Sequence, residues 1–241
     1  MTENFTGIVL RTIKYSDNLM VADMYTRSHG RMAFLVPVSR SKRAKVRSVL
    51  FQPLAILSFS ATVKTSKSLG RISDAQIFKP YQSVYTDVVK ASVVLYLAEF
   101  LSLVLREEEK NDAIFEFLLH SLSWLDIAQQ GASDFHILFL MRLTLLLGIY
   151  PNVENYRQGA YFDLAAGCLV YERPLHDQFL TVEDTCNFVE FMGMDFSSLH
   201  TFALNREARG KYLTLIHNYY RLHIPGLPEP KSAAVLRDLF S

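Results

Sequence analysis

The stretch LMVADMYTRSHGRMAFLVPV, Leu19 to Val38, reads as a β-hairpin. Met20, Ala22 and Met24 alternate along its first half, and Met32, Phe34 and Val36 along its second, so each half carries an apolar face of period two. Ser28-His29-Gly30 between them supplies the residues of a corner.

Outward from this hairpin the texture repeats. Upstream, TGIVLRTIKYSD runs Ile8, Val9 and Leu10 into an alternation of Arg11, Ile13 and Tyr15, and stops at the turn residues Ser16-Asp17-Asn18. Downstream, LFQPLAILSFSATV is a further apolar segment, with Pro53 near its start where a missing ladder donor is tolerated. SLGRISDAQIFKPY supplies a last short strand before Pro80. Four or five short strands in so small a segment point to a closed sheet, because closure leaves no exposed edge. With a long connection between the third and fourth strands, the expected arrangement is a five-stranded Greek-key barrel, the OB-fold.

After Pro80 the period changes. YTDVVKASVVLYLAEFLSLVL has apolar residues at helical spacing on every side, which predicts a helix in the middle of a bundle. AIFEFLLHSLSWLDIAQQ follows the polar break REEEKND, and Ser133-Asp134 is the expected cap of FHILFLMRLTLLLG. YRQGAYFDLAAGCLVYERP interrupts the helices with strand or irregular character. Thr181 with Asp184 resembles a capping box, TFALNREARGKYLTLIHNYYRLH predicts a long helix, and the chain closes on a short amphipathic one. The fold class expected is therefore α+β: a barrel domain over residues 1–80, then a helical domain over 81–241 with a short insertion near 152–175.

Composition narrows the function. Half of the 241 residues are apolar and a fifth are charged, a profile of folded rather than disordered chains. The most apolar stretches, Val93–Leu105 and Ile137–Ile149, are short and interrupted by Glu99 or Arg142, so no membrane span is expected. MTENFTGIVL has no basic segment followed by an apolar one, and Cys168 and Cys186 are the two cysteines; both point to the cytoplasm. No phosphate-loop, dinucleotide-binding, nucleophile-elbow or HExxH motif is present, and no catalytic constellation stands out. Cys168, His176 and Cys186 match no zinc-ligand spacing. Neither an enzyme nor a cofactor is expected.

Charge is the informative quantity. The chain carries a net +1, yet residues 1–80 hold thirteen Lys and Arg against four Asp and Glu, while 81–241 hold twelve against twenty. The basic half is densest at VSRSKRAKVRS, Val38 to Ser48, with Arg40, Lys42, Arg43, Lys45 and Arg47. Cations spread over several phosphates are what a nucleic-acid backbone requires, since counterion release supplies the free energy. Arg11 and Lys14 extend the track along the first strand, and Arg27 and Arg31 flank the hairpin corner. Tyr15, Tyr25 and Phe34 are candidates for base stacking, with a place in the barrel core as the alternative. Three readings fit these residues: a DNA-binding protein, an OB-fold RNA-binding module, and an adaptor whose basic loop docks an acidic partner.

The residues also resemble a known family. The order Gly7–Arg11, Tyr15–Asp17, Thr26–Arg31, Val38–Ser48 and Leu50–Leu54 is similar to the N-terminal domain of the bacterial DNA-repair family RecO. YYRLHIPGLPEPKSAAVLRDL, with Lys231-Ser232 opening its helix, is similar to that family's ending. The resemblance implies a non-enzymatic protein that binds single- and double-stranded DNA and anneals complementary strands. It further implies partnership with RecR, docking of the tail of single-strand-binding protein on the helical domain, and help in loading RecA filaments. Many members carry a four-cysteine zinc module, but the corresponding segment GIYPNVENYRQGAYFDLAAGCLVYERP contains Cys168 alone, so that module is expected to be degenerate here. The tail pocket is expected to pair an apolar groove with a cation near Arg106 or Arg142.

Overall fold

In the computed structural model, residues 2–38, 46–64, 69–199 and 204–239 are described. Five strands open the chain: β1 (Thr2–Lys14), β2 (Leu19–Thr26), β3 (Gly30–Pro37), β4 (Ile56–Thr62) and β5 (Gly70–Lys79). They close into a barrel in the order β1-β2-β3-β5-β4, with β4 pairing back onto β1. This is the expected OB-fold, and the basic stretch falls between β3 and β4 as its sequence position requires.

The alternation of the hairpin is what fills the barrel. Ala22, Met24, Met32, Phe34 and Val36 all lie in its core, with Met20 packed at the margin. Phe5, Phe34 and Phe59 form an aromatic cluster with ring centroids 5.0–5.5 Å apart. Each such ring, fully buried, contributes about 1.5–3 kcal/mol. Closure between β3 and β5 depends on Gly70, which sits opposite Phe34, because a Cβ there would lie 2.6 Å from the Phe34 ring. β1 carries a bulge between Val9 and Arg11, so Ile8, Val9 and Leu10 are buried in succession before Arg11 emerges. Ile8 and Leu10 are buried but lie outside the barrel core, on a strand that also approaches α1 (Val88–Val104).

The chain divides into two compact units, one running to Ile127 and regaining Pro230–Leu239, the other Ala128–Glu229. β5 ends at Lys79 and α1 opens at Val88, and α1 and α2 (Asp112–Ile127) belong to the barrel's unit, as does α6 (Ser232–Leu239). Three charged residues explain how this unit holds together. Asp126 accepts the backbone N–H groups of Gln82, Ser83 and Val84 at 2.8–3.1 Å. Lys90, buried on the mostly apolar α1, donates to Ser83 Oγ and the Asp126 carbonyl. Glu99, the charge that interrupts the same helix, accepts from Lys231 N, Ser232 N and Ser232 Oγ, and so caps α6 from 132 residues away.

The second unit contains α3 (Phe135–Leu146), α4 (Val182–Met192), α5 (Arg206–His223) and a small antiparallel sheet of β6 (Tyr161–Asp163), β7 (Cys168–Val170) and β8 (Phe179–Leu180). The expected insertion is thus an ordered sheet. Phe162 is fully buried against Phe188 and Tyr219, Tyr219 donates to the Ile149 carbonyl, and His223 bonds the Leu164 carbonyl. Cys168 and Cys186 are free thiols, His176 pairs with Asp163, and among the described residues no three His, Cys, Asp or Glu gather to hold a metal. Aromatic packing and these hydrogen bonds hold the segment.

Two caps differ in outcome. Thr181 caps α4 as expected, accepting from Asp184 N while its hydroxyl donates to the Asp184 carboxylate. Asp134 does not cap α3 with its side chain; that carboxylate is buried and drawn instead to Arg209 Nε, 2.7 Å away. His136, fully buried beside this pair, is held neutral, its pKa pushed down to about 3 by burial, with Arg209 and His217 adding to the effect. Among the described residues no helix is long and apolar enough to cross a membrane.

Candidate nucleic-acid interface

The β2–β3 hairpin has two ends, and the expected cations fall at both. At the end where β1 turns into β2, Tyr15 N and Ser16 N both donate to the Leu19 carbonyl, tightening the Ser16-Asp17-Asn18 turn. Lys14 sits there with its ammonium 2.8 Å from Asp17, both side chains largely in solvent. Val38 N donates to the Asn18 carbonyl, so the basic stretch departs beside Lys14. Arg40, Lys42, Arg43 and Lys45 lie outside the described residues. The chain returns at Val46, which is buried in the barrel core, and at Arg47, exposed and extended before a single 3-10 turn over Ser48–Leu50. Both roots of the basic stretch are therefore anchored to the barrel, one by a backbone hydrogen bond and one by apolar burial.

The other end of the hairpin is built differently. Thr26 Oγ1 donates to the Gly30 carbonyl and accepts from His29 N, and Gly30 takes φ +65°. A Cβ on Gly30 would lie 2.2 Å from the Glu109 carbonyl oxygen, so the corner touches the α1–α2 connection directly. Arg31 N donates to the Glu107 carbonyl. The Arg31 guanidinium is mostly buried and held at both ends: Nη1 donates to the Ser102 and Leu105 carbonyls at 2.9 and 3.1 Å, and Nη2 to Asp23 at 3.0 Å. Carbonyls at a helix C-terminus lack intrahelical donors, and a cation there also meets the negative end of the helix dipole. Arg27 lies over the Phe115 ring at 4.8 Å and pairs with Glu116 at 2.9 Å. Among the five expected cations in the described residues, Arg27 and Arg31 are thus the pair recorded on the helices of their own unit.

Arg11 is intermediate. Its Nε donates to Asp23 Oδ2 at 2.6 Å, yet about half of the side chain (49 %) remains exposed. Tyr25 and Phe34 belong to the interior: Phe34 is part of the aromatic cluster, and burial, with Glu107 adding to it, pushes the Tyr25 hydroxyl up to about 12. Tyr15 is exposed beside Lys14. Arg71 was not singled out by the sequence; it is exposed and pairs in register with Leu35, two residues before the end of β3. Lys64 just beyond β4 is exposed as well. Their one signal in the sequence was membership of the basic first eighty residues, where neither falls in a cluster.

The comparisons with known proteins cover the whole chain. The family model described as Recombination protein O N terminal matches residues 1–81, and Recombination protein O C terminal matches 85–233. The chain belongs to the RecO family. Over 241 residues, all of both chains, it is 42% identical to the DNA repair protein RecO of Phocaeicola vulgatus and 42% identical to that of Bacteroides fragilis. It is 34% identical over 237 residues to the RecO protein of Flavobacterium psychrophilum, covering 98% of each chain. The boundary between the two RecO models falls where β5 ends, while the compact unit carries on through α2.

Both arginines named for the tail pocket are engaged by backbone carbonyls of the protein. Arg106 Nε donates to the Leu103 carbonyl at the end of its own helix, and the Arg142 guanidinium donates to the Met194 carbonyl. A cavity of about 470 Å³ does lie between α4 and α5, with Leu180, Leu204, Leu215 and Tyr212 in its wall. Lys211 at its margin is paired with Asp184, and Glu190 also lines it. The cavity is apolar with a carboxylate-rich margin.

Proposed function

We propose that this chain is a non-catalytic DNA-binding mediator of recombinational repair, which binds single- and double-stranded DNA and anneals complementary strands. The observation that carries this reading is the placement of the basic stretch. Its roots are fixed on a closed OB barrel beside Lys14, at the hairpin end away from the helix-bound arginines. The phosphate track we assign runs over Arg11, Lys14, Arg40, Lys42, Arg43, Lys45 and Arg47, with Lys64 and Arg71 at its margin. Arg27 and Arg31 serve the same surface by holding the barrel to α1 and α2. Two like-charged strands repel each other, and cations shared between them lower that cost. Aliphatic rather than aromatic residues (Val21, Leu35) share the outer register row with Ile13, so backbone contact dominates over stacking.

Membership of the RecO family supports the rest of the proposal: partnership with RecR, docking of the tail of single-strand-binding protein on the helical part of the chain, and through these the loading of RecA on coated DNA. The apolar cavity between α4 and α5 is a weak match for an acidic tail, because carboxylates line it.

The test is the salt dependence of binding to a labelled single strand. Reversing all five charges (Arg40→Glu, Lys42→Glu, Arg43→Glu, Lys45→Glu, Arg47→Glu) is expected to flatten the log–log slope by about 3.5, at about 0.7 for each phosphate no longer neutralised. An unchanged slope overturns the role of the stretch. Competition by matched RNA that equals DNA, or loss of annealing of strands coated by single-strand-binding protein, returns the reading to an RNA module or an adaptor.

A further inference from the structure

One carboxylate oxygen serves two arginines. Asp23 Oδ2 accepts from Arg11 Nε at 2.6 Å and from Arg31 Nη2 at 3.0 Å. The two cations are not alike. Arg31 is 19 % exposed and pinned at its other nitrogen by the Ser102 and Leu105 carbonyls, whereas Arg11 is 49 % exposed on β1. Asp23 itself is 7 % exposed and sits on β2 in register with Arg11.

A phosphate that engages the Nε edge of Arg11 must draw that N–H from Asp23. Were Arg11 the sole partner, that exchange would leave a buried carboxylate without a cation, which is strongly unfavourable. Arg31 removes the obstacle, because it stays on Asp23 whatever Arg11 does. Three of its five N–H donors go to Asp23 and to the end of α1, and its side chain is only 19 % exposed, so its charge is committed within the protein.

Resting on the DNA-binding reading above, we propose that Arg31 is a positioning residue. It keeps Asp23 paired so that Arg11 can exchange that carboxylate for a DNA phosphate. Arg31 touches no nucleic acid. The arrangement also explains a basic residue placed directly after a glycine that meets the α1–α2 connection: the corner must reach both the helix end and Asp23.

The experiment is a set of salt titrations of single-strand binding, read as slopes. Arg11→Gln should lower the slope by about 0.7, the value of one phosphate. Arg31→Gln should lower it by the same amount, because Arg11 then becomes the one cation left to Asp23 and is retained there. Adding Asp23→Asn to Arg31→Gln should restore the wild-type slope, since nothing then holds Arg11 back. If the double variant stays one phosphate short, Arg31 is itself a phosphate ligand and the proposal falls. If Arg11→Gln leaves the slope unchanged, Arg11 is not a ligand and the proposal falls as well. Both results differ from failure of the underlying reading, in which the five-fold variant of the basic stretch changes nothing.

Should Arg31→Gln lose its cooperative melt, the Asp23→Asn and Arg11→Gln cycle carries the test instead. Asp23→Asn is expected to raise affinity several-fold more with Arg11 present than in Arg11→Gln. Equal effects in the two backgrounds overturn the proposal.

Discussion

The two ends of the β2–β3 hairpin carry the same kind of residue and use it in opposite ways. At the corner end, Arg27 and Arg31 are bound by a ring, a carboxylate and helix carbonyls of their own unit. At the other end, Lys14 and Arg47 face solvent beside the roots of the basic stretch. A cation held by acceptors of its own protein must give them up before it can pair with another anion, and the deeper those acceptors are buried the more that costs. Charge density in the sequence identifies the pool of cations, and internal acceptors decide how much of it is left.

Several variants would break or sharpen this contrast. The largest effect is expected at Gly30, where φ is +65° and a Cβ would lie 2.2 Å from the Glu109 carbonyl. Gly30→Ala should cost about 3 kcal/mol or more in a urea denaturation, through backbone strain and overpacking together. Wild-type stability in that variant would mean that the corner does not bear on the α1–α2 connection.

Arg31→Ala comes next, at about 2–3 kcal/mol, because a mostly buried carboxylate and two helix-end carbonyls lose a charged donor. Arg11→Ala should cost under about 1 kcal/mol by the same measurement, since a half-exposed ion pair is screened by solvent. The ratio of these two costs is the contrast in numerical form, and equal costs would erase it.

Within the same unit, away from the hairpin, Glu99→Gln weakens the cap of α6 and should cost about 1–2 kcal/mol. Acid probes the same hydrogen bonds. Burial raises the pKa of Glu99, but hydrogen bonds from Ser232 and Lys231 outweigh it and leave it below the ordinary value. Asp126 is likewise raised by burial and lowered further by the N–H groups of Gln82, Ser83 and Val84, with Lys90 adding to them. Folded pKa values below the unfolded ones mean that this stability is whole above the usual carboxylate range. It is lost as pH falls through the lowered values. Glu99→Gln should therefore flatten part of the acid-side loss in a pH series of melts.

A small effect is also expected at Asn205, the cap of α5, whose side chain accepts from Ala208 N. Asn205→Ala should cost about 1 kcal/mol and leave the DNA salt slope unchanged, as the cap lies in the second unit. A changed slope would extend the interface beyond the barrel.

How much of this was legible without coordinates depends on the range of the interaction involved. The alternation of Met20 to Val36 determined the hairpin, because a strand presents every second residue to one side and the pattern lies within a few positions. The charge imbalance between residues 1–80 and the rest, and the density of VSRSKRAKVRS, likewise belong to the sequence alone. Glu99 was legible as a charge that excludes a membrane helix, but its partners on α6 begin 132 residues on. Asp134 was read as a local cap, yet its Oδ1 accepts from Arg209, 75 residues away. Arg31 is the sharpest case: its acceptors on α1 and just beyond it lie 71 and 74 residues away, and no local spacing announces them. The sequence by itself determined the strands, the helices and the pool of cations, because those follow from short periods and composition. Which of the described arginines are held within the protein was decided by tertiary structure alone, because a guanidinium pairs with whatever acceptors the fold brings within about 3 Å of it.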